Sequence, residues 1–269
     1  AKGNIGRAVI KNLLNSKVEI EVTAGVRNIQ KTQPTFEAKQ GLKFSEFDFE
    51  NPSTYQNSME GFDTVFLLRP PQLSNIDTFT PLIKIIKNVG IEEIVFLSVQ
   101  GADKSKVIPH NKIERLIKEY GIPYIFIRPS YFMQNLTTTL YEEIKNNRSI
   151  TLPSGKAKFN WIDIEDIGLS SAQLIINFSK YRGQSMDITG SENESFETVT
   201  QMINEQVENK LNYKSVGPFK FYRLKKKEGM KKDFIMVMLL LHYLPRFQME
   251  PVISNNVEKL IAKKPTTVK

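Results

Sequence analysis

The first fourteen residues confine this chain to a narrow set of folds. Gly3 and Gly6, in Ala1-Lys2-Gly3-Asn4-Ile5-Gly6, run straight into Arg7-Ala8-Val9-Ile10-Lys11-Asn12-Leu13-Leu14, whose apolar residues recur at helical spacing. A glycine-rich turn that opens a helix is the fingerprint of a dinucleotide-binding unit. One glycine allows the tight turn out of a strand, a second lets the backbone approach a pyrophosphate, and a third lets the helix pack close to the sheet. The phosphates then rest on the helix N-terminus, where unpaired N–H groups and the dipole favour anions. Gly3 and Gly6 match the last two glycines. The strand and first glycine of the motif are expected in native residues ahead of Ala1. Lys2, Gly3, Asn4, Ile5 and Gly6 are therefore candidate cofactor-binding residues.

A second feature lies at the distance this motif requires. Glu19 to Arg27 is rich in β-branched residues and reads as a strand, and Arg27 stands 21 residues after Gly6, where the ribose-reading residue belongs. An acid there holds both ribose hydroxyls of NAD, whereas a cation accommodates the 2′-phosphate of NADP. Arg27 points to NADP(H), and Lys2 adds a second positive charge. The plainer alternative is a solvated cation at a strand end.

After Arg27, strands and helices alternate. The pattern predicts strands at 42–48, 64–68, 93–98 and 124–128, and helices at 54–59, 76–89 and 109–120, with Pro70-Pro71 ending the second of these strands. Continuous Val/Ile/Leu/Phe runs between helices indicate a parallel sheet covered on both faces. The fold class is α/β, a doubly wound Rossmann-type sheet. Beyond Pro129 the pattern predicts a helix from Tyr131 to Lys145, a turn at Pro153 and Gly155, and a helix entered through 160–167 and running to Phe178. A strand at 186–189, a helix from Phe196 to Leu211 and an irregular, mainly helical remainder follow. The expected domains are a nucleotide-binding unit of residues 1–130 plus 160–190, and a smaller substrate-binding lobe of 131–159 plus 191–269.

Composition removes several function classes. The chain has no cysteine, so disulfides, thiolate nucleophiles and Cys-based metal sites are impossible. With no secretory signal in view, cytoplasm is the default compartment, and the Asn-x-Ser/Thr triplets at Asn135, Asn147 and Asn193 read as chance. His110 and His242 are the only histidines and their spacing suggests no zinc site. Neither a Gly-x-Ser-x-Gly elbow nor a Gly-x-x-x-x-Gly-Lys-Ser/Thr loop is present. The apolar run Phe234 to Leu244 is far shorter than the roughly 20 residues of a membrane span and reads as a buried or pocket-covering helix. The net charge is +8. The cluster Lys225, Lys226, Lys227, Lys231 and Lys232 belongs to no DNA-reading motif and reads as a solvated basic face.

Together these segments resemble the NmrA-like branch of the atypical short-chain dehydrogenase/reductases, which includes NADPH-dependent quinone reductases and cofactor-sensing regulators. The resemblance is carried by Gly3-x-x-Gly6, Val26-Arg27-Asn28, Phe47-Asp48-Phe49, Phe96 to Asp103, Ile127 to Asn135, Trp161 to Ile167 and Lys263 to Val268. It implies that Asp48 and Phe49 contact the adenine and that Leu68, Arg69 and Pro70 line the ribose and nicotinamide channel. It also places Ser98 beside the nicotinamide and Pro129, Phe132 and Asn135 near the substrate, with Tyr131 a further candidate for the pocket; Lys112, read from its charge alone, is a phosphate or surface cation and not a catalyst. The plainer readings make Asp48 a turn acid, Phe132 a core residue and Lys112 a surface charge. Asp163 and Asp166 read as helix-start acids.

Alcohol-oxidising relatives and nucleotide-sugar epimerases use Tyr-x-x-x-Lys on the helix after the Ser strand, the cation lowering the phenol's pKa. Here that neighbourhood reads His110-Asn111-Lys112-Ile113-Glu114, so both members are replaced. Tyr141-x-x-x-Lys145 and Tyr222-x-x-x-Lys226 match the letters but lie outside that helix. Reduction of a small electrophile needs little more than a nicotinamide facing its acceptor, with a proton from His110 or from water; the plainer reading of His110 is a polar residue in the first helical turn after Pro109. Three readings follow: an NADPH-dependent reductase of a quinone-like or other small electrophile, an NADP(H) sensor acting through a protein partner, and an epimerase-like enzyme.

Overall fold

The computed structural model describes residues 1–36, 41–70, 73, 75–106 and 108–269, so Pro71 of the expected strand stop lies outside the described residues. The chain divides into two compact units. Unit 1 comprises 1–129, 164–188 and 256–263, and unit 2 comprises 130–163, 189–255 and 264–269. Relative to the expected domains, residues 130, 160–163 and 189–190 fall in the smaller unit, and residues 256–263, with the short helix near the C-terminus, fall in the larger one.

Unit 1 begins with α1 (Asn4–Leu14), β1 (Val22–Val26), α2 (Ile29–Thr32), β2 (Leu42–Glu46), α3 (Tyr55–Met59) and β3 (Thr64–Leu68). It continues with α4 (Phe79–Asn88), β4 (Glu93–Leu97), α5 (Pro109–Glu119) and β5 (Tyr124–Pro129). The chain then enters unit 2 with β6 (Tyr131–Phe132), α6 (Tyr141–Asn147), β7 (Ser149–Leu152) and β8 (Lys158–Ile162). It returns to unit 1 for α7 (Ile164–Ile176), α8 (Phe178–Tyr181) and β9 (Ser185–Ile188). Unit 2 resumes with β10 (Asn193–Ser195), α9 (Phe196–Gln206), β11 (Asn212–Ser215), α10 (Pro218–Lys227) and α11 (Lys232–Tyr243), and α12 (Asn256–Ile261) packs back on α7 in unit 1.

Every strand pair in unit 1 is parallel: β1 with β2, and the series β3-β4-β5-β9. Strands buried on both faces need no polar alternation, and 94–97 and 125–129 are buried throughout. On one face, α3, α4 and α5 bring Tyr55, Phe79, Ile83 and Ile113 against Phe96 and Phe126. Elsewhere in the unit, α1 packs on α7. A Cβ at Gly168 of α7 would lie 2.6 Å from that of Ala8, so this close approach depends on glycine.

Unit 2 holds the sheet β10-β8-β6, antiparallel between β8 and β10, and the parallel pair β7-β11. Its core is aromatic, with Trp161, Phe159, Tyr131 and Phe196 packed edge to face. Three expectations are corrected here. The expected helix from Tyr131 to Lys145 is a short strand, a 3₁₀ turn at Met133–Asn135 and a helix only from Tyr141, because Tyr131 pairs with Trp161 in the sheet. The helix at Phe196 ends at Gln206, and Asn212–Ser215 joins β7. Residues Asn160 to Ile162 are strand, with the helix starting at Ile164.

Candidate active site

The carboxyl ends of the unit 1 strands gather most of the expected cofactor residues. At the start of α1, Gly3 is the N-cap in extended conformation with no side-chain cap, and a Cβ there would meet nothing within 4 Å. Lys2, Gly3 and Asn4 are exposed. Gly6 serves close packing, since a Cβ would collide with the Ala1 carbonyl oxygen. Ile5 is buried in the core, so its backbone alone can face a ligand.

The first turn of α1 contains no acid and does contain Arg7. Its guanidinium is fixed by the Lys2 and Thr35 carbonyls and the Thr35 hydroxyl, and lies 4.2 Å over the Phe36 ring. A cation at the positive end of a helix dipole is unfavourable unless an anion shares the place. The exposed residues at the start of α1, with Arg7 beside them, suit a phosphate group, and Arg27, just past β1, is an exposed cation.

Other expected contacts have local duties. Asp48 accepts from the Glu50 backbone N–H at 3.0 Å, and its own N–H donates to Thr54 Oγ1, which makes it a turn acid. Phe49 packs 5.6 Å from Phe79 and 4.8 Å from Phe47. Arg69, after β3, directs Nη1 to the carbonyls of Pro70 and Leu73 at 3.1 and 2.6 Å, so its guanidinium braces its own loop. Leu68 and Pro70 are half-buried beside it, and Lys112 is exposed on α5.

His110 departs from its expected role as proton donor. Arg69 Nε donates to His110 Nε2 at 3.3 Å, which requires that nitrogen to be unprotonated. Burial, reinforced by the Arg69 charge, lowers the imidazole pKa from 6.5 to about 3. With its ring 5.9 Å from Phe96, His110 is neutral near pH 7 and holds no transferable imidazolium proton.

The centre of the site is a network that sequence reading missed. Ser98 Oγ, at the end of β4, donates to Glu114 Oε1 at 2.6 Å. Arg128 of β5 grips the same carboxylate with Nε to Oε1 at 2.9 Å and Nη2 to Oε2 at 2.6 Å, while its Nη1 lies 3.3 Å from Asp103. Ser98, Glu114 and Arg128 are all buried. Burial opposes the Arg128 charge, but the Glu114 hydrogen bonds and the attraction of Glu114, Asp103 and Asp187 outweigh it and raise its pKa. Asp187 of β9, opposite Arg128 in register, accepts from Gln100 at 3.4 Å, and burial raises its carboxyl above the ordinary value against that bond and Arg128. Asn111 Nδ2 holds the Ala102 carbonyl at 2.9 Å and pins the loop after β4. Pro129 closes β5, buried. A signal was available: Glu114 lies on the apolar face of α5 and Arg128 interrupts the run Tyr-Ile-Phe-Ile, and buried charges require partners.

The expected substrate residues belong to unit 2. Tyr131 is in the aromatic core, not on a pocket wall. Its hydroxyl donates to His242 Nε2 at 3.0 Å, since His242 Nδ1 spends its proton on the Met238 carbonyl at 2.8 Å. Burial raises the Tyr131 phenol pKa, opposed by a bond to Asn135, and lowers that of His242 from 6.5 to about 4. Phe132 and Asn135 are half-buried. Asp163, just before α7, accepts from Gln134, and Asp166 in the first turn is buried.

The NmrA-like family model matches residues 1–269. The chain belongs to the NmrA-like family. Among relatives of this NmrA-like protein, prestalk A differentiation protein A of Dictyostelium discoideum is 27% identical over 231 residues, covering 86% of this chain and 75% of that protein. An NAD(P)H azoreductase of Xenophilus azovorans is 25% identical over 193 residues, covering 70% of this chain and 65% of that one. An NADPH-dependent quinone oxidoreductase from Escherichia coli, solved with NADPH, superposes with a TM-score of 0.84 at 19% identity, covering 100% of this chain and 95% of that one.

Proposed function

We propose that this NmrA-like protein is an NADPH-dependent reductase that delivers hydride to a quinone-like or other small electrophilic acceptor. The observation that carries the reading is the fate of the two dyad positions. His110 is a neutral acceptor held by Arg69, and Glu114 is the shared acceptor of Ser98 and Arg128. Both are engaged as acceptors of protein donors, and neither position carries the phenol or the ammonium of a Tyr-Lys pair. That favours an acceptor needing only hydride and a solvent proton over epimerisation or alcohol oxidation. The names of the azoreductase relative and the quinone oxidoreductase neighbour support the same class.

The residues divide the cofactor among them. The open α1 N-terminus, with Lys2, Gly3, Asn4, Gly6 and the backbone of Ile5, holds the pyrophosphate, and Arg27 meets the 2′-phosphate. Phe49 and the Asp48 turn flank the adenine, while Leu68, Pro70, Ser98 and Pro129 border the nicotinamide end. Lys112 is an outlying cation for phosphate. Bound NADPH supplies the hydride. Ser98, its proton committed to Glu114, presents only lone pairs and so orients a donor group instead of protonating the substrate. A quinone takes up the hydride and one solvent proton to become a hydroquinone.

The test is NADPH oxidation followed optically with a panel of small quinones and azo compounds, NADH serving as control. Saturable turnover that prefers NADPH, with the preference lost in Arg27→Ala, is expected. An unchanged preference in Arg27→Ala sinks the 2′-phosphate assignment. Tight NADPH binding without turnover of any acceptor replaces the reductase with a cofactor-sensing regulator.

A further inference from the structure

Among the described residues, every exposed large apolar side chain except Val18 and Tyr141 falls between Phe219 and Ile253, in unit 2. Helix α11 is the centre of this concentration. One face, Ile235, Met238 and His242, is buried. The opposite face carries Met236, Val237, Leu240 and Leu241, all exposed, and leads to exposed Leu244. The run reads in sequence as a buried or pocket-covering helix, and the helix is apolar on both sides while only one is covered. A surface helix ordinarily turns polar residues to water, and one apolar all round requires a second apolar environment. Phe219 (86% exposed), Phe247 (71%) and Met249 (95%) extend the apolar surface before and after α11.

The charges accompanying this surface choose its partner. Lys220, Arg223, Lys226, Lys227, Lys231, Lys232 and Arg246 are all exposed. Acids in the same stretch are fewer, and two are engaged: Glu228 binds the buried Lys225, Glu250 pairs with Lys158, and Asp233 is the third. A second copy of the chain meeting this face about a two-fold axis would set lysines against lysines. Phosphate headgroups above hydrocarbon match both parts of the surface, taking the lysine and arginine heads at one depth and the apolar side chains at the next. At twelve residues α11 is about 18 Å long, too short to cross a bilayer core of roughly 30 Å.

We infer that α11 and its flanks form an interfacial docking surface for an anionic lipid bilayer, with α11 lying in the membrane plane. This inference is independent of the proposed reductase activity. The test is co-sedimentation of the full chain with vesicles of equal parts phosphatidylcholine and phosphatidylglycerol, compared with pure phosphatidylcholine. Binding to the mixed vesicles alone is expected, weakened by salt. Loss of roughly fivefold affinity per neutralised lysine predicts roughly 25-fold weaker binding for K226Q/K227Q. L240D/L241D, altered only on the exposed face, should retain the wild-type circular dichroism and lose binding. A Leu240→Trp reporter should shift its emission to the blue with mixed vesicles. The inference is overturned by failure to sediment with mixed vesicles at low salt. Wild-type binding by L240D/L241D overturns it too, as mere electrostatic adsorption, and so does a solution dimer that L240D/L241D dissolves.

Discussion

Replacing Glu114 by Gln tests the network at the strand ends most directly. The wild-type carboxylate makes two bonds to Arg128, at 2.6 and 2.9 Å, and accepts the Ser98 proton. The Glu114 side chain is 4% exposed and that of Arg128 10%, so neither charge is compensated by water. Gln keeps the shape but removes the charge, and its amide hydrogens face a guanidinium that has only donors. Removing one partner of a buried pair costs about 3–5 kcal/mol. Asp103 remains 3.3 Å from Arg128 but is half exposed, so it offsets only part of that loss and places the expectation near 3 kcal/mol. Urea unfolding of the wild type, E114Q and E114M/R128M provides the measurement. The double variant removes both charges together and should lose less than E114Q, because no buried charge is left alone. If E114Q unfolds within about 0.5 kcal/mol of the wild type, Arg128 does not depend on Glu114 and the buried-pair argument fails.

Two further consequences concern stability. His242 and His110 have folded-state pKa values lowered to about 4 and about 3, below the ordinary 6.5, so between those values and 6.5 the unfolded chain binds more protons. Their effect is to make stability greatest above pH 6.5 and to lower it as the solution is acidified, by about 3 kcal/mol for His242 alone by pH 4. Urea unfolding between pH 4 and 7 should therefore show a shallower dependence in His242→Gln, and equal slopes for the two proteins would refute the assignment. Gly168→Ala should lower the melting temperature, because a new Cβ 2.6 Å from that of Ala8 forces α1 and α7 apart. Overpacking of this kind costs about 1–3 kcal/mol, more than the helix propensity alanine adds. An unchanged melting temperature would mean that the helices have room to separate.

The parallel sheet was legible because its strands are continuous apolar runs, a pattern that survives whichever helix covers each face. Thr64–Leu68 falls where the pattern put it, and Glu93–Leu97 stops one residue short. The second half was less legible for physical reasons. Tyr131 to Lys145 has helical spacing, but Tyr131 finds its partners in Trp161 of the sheet and in His242, both far away in sequence. Tertiary pairing overrides local preference there. Leu211 is drawn out of the expected helix by the Asn204 side chain, which both accepts its N–H and donates to its carbonyl. In α11 hydropathy marks both faces as apolar but only one is buried, since an apolar residue shows what it prefers and not what surrounds it.

At the site, the glycine loop and Arg27 could be read from spacing, whereas the replaced dyad could be read only as a loss. Positions 110 and 114 lie one turn apart on α5, where a Tyr-Lys enzyme would keep its proton-exchanging pair. In this chain each is an acceptor for an arginine from a different strand end: His110 for Arg69 beyond β3, and Glu114 for Arg128 at the end of β5. Ser98 links β4 to the second of these. The helix that would carry acid-base chemistry instead cross-links three adjacent strand ends through hydrogen bonds, buried at Glu114 and part-buried at His110. Such bonds hold a surface still, and hydride transfer depends on how closely and steeply donor and acceptor are held, not on a titrating side chain. The substitutions that remove proton exchange are thus the ones that build the rigid floor beneath the proposed nicotinamide position.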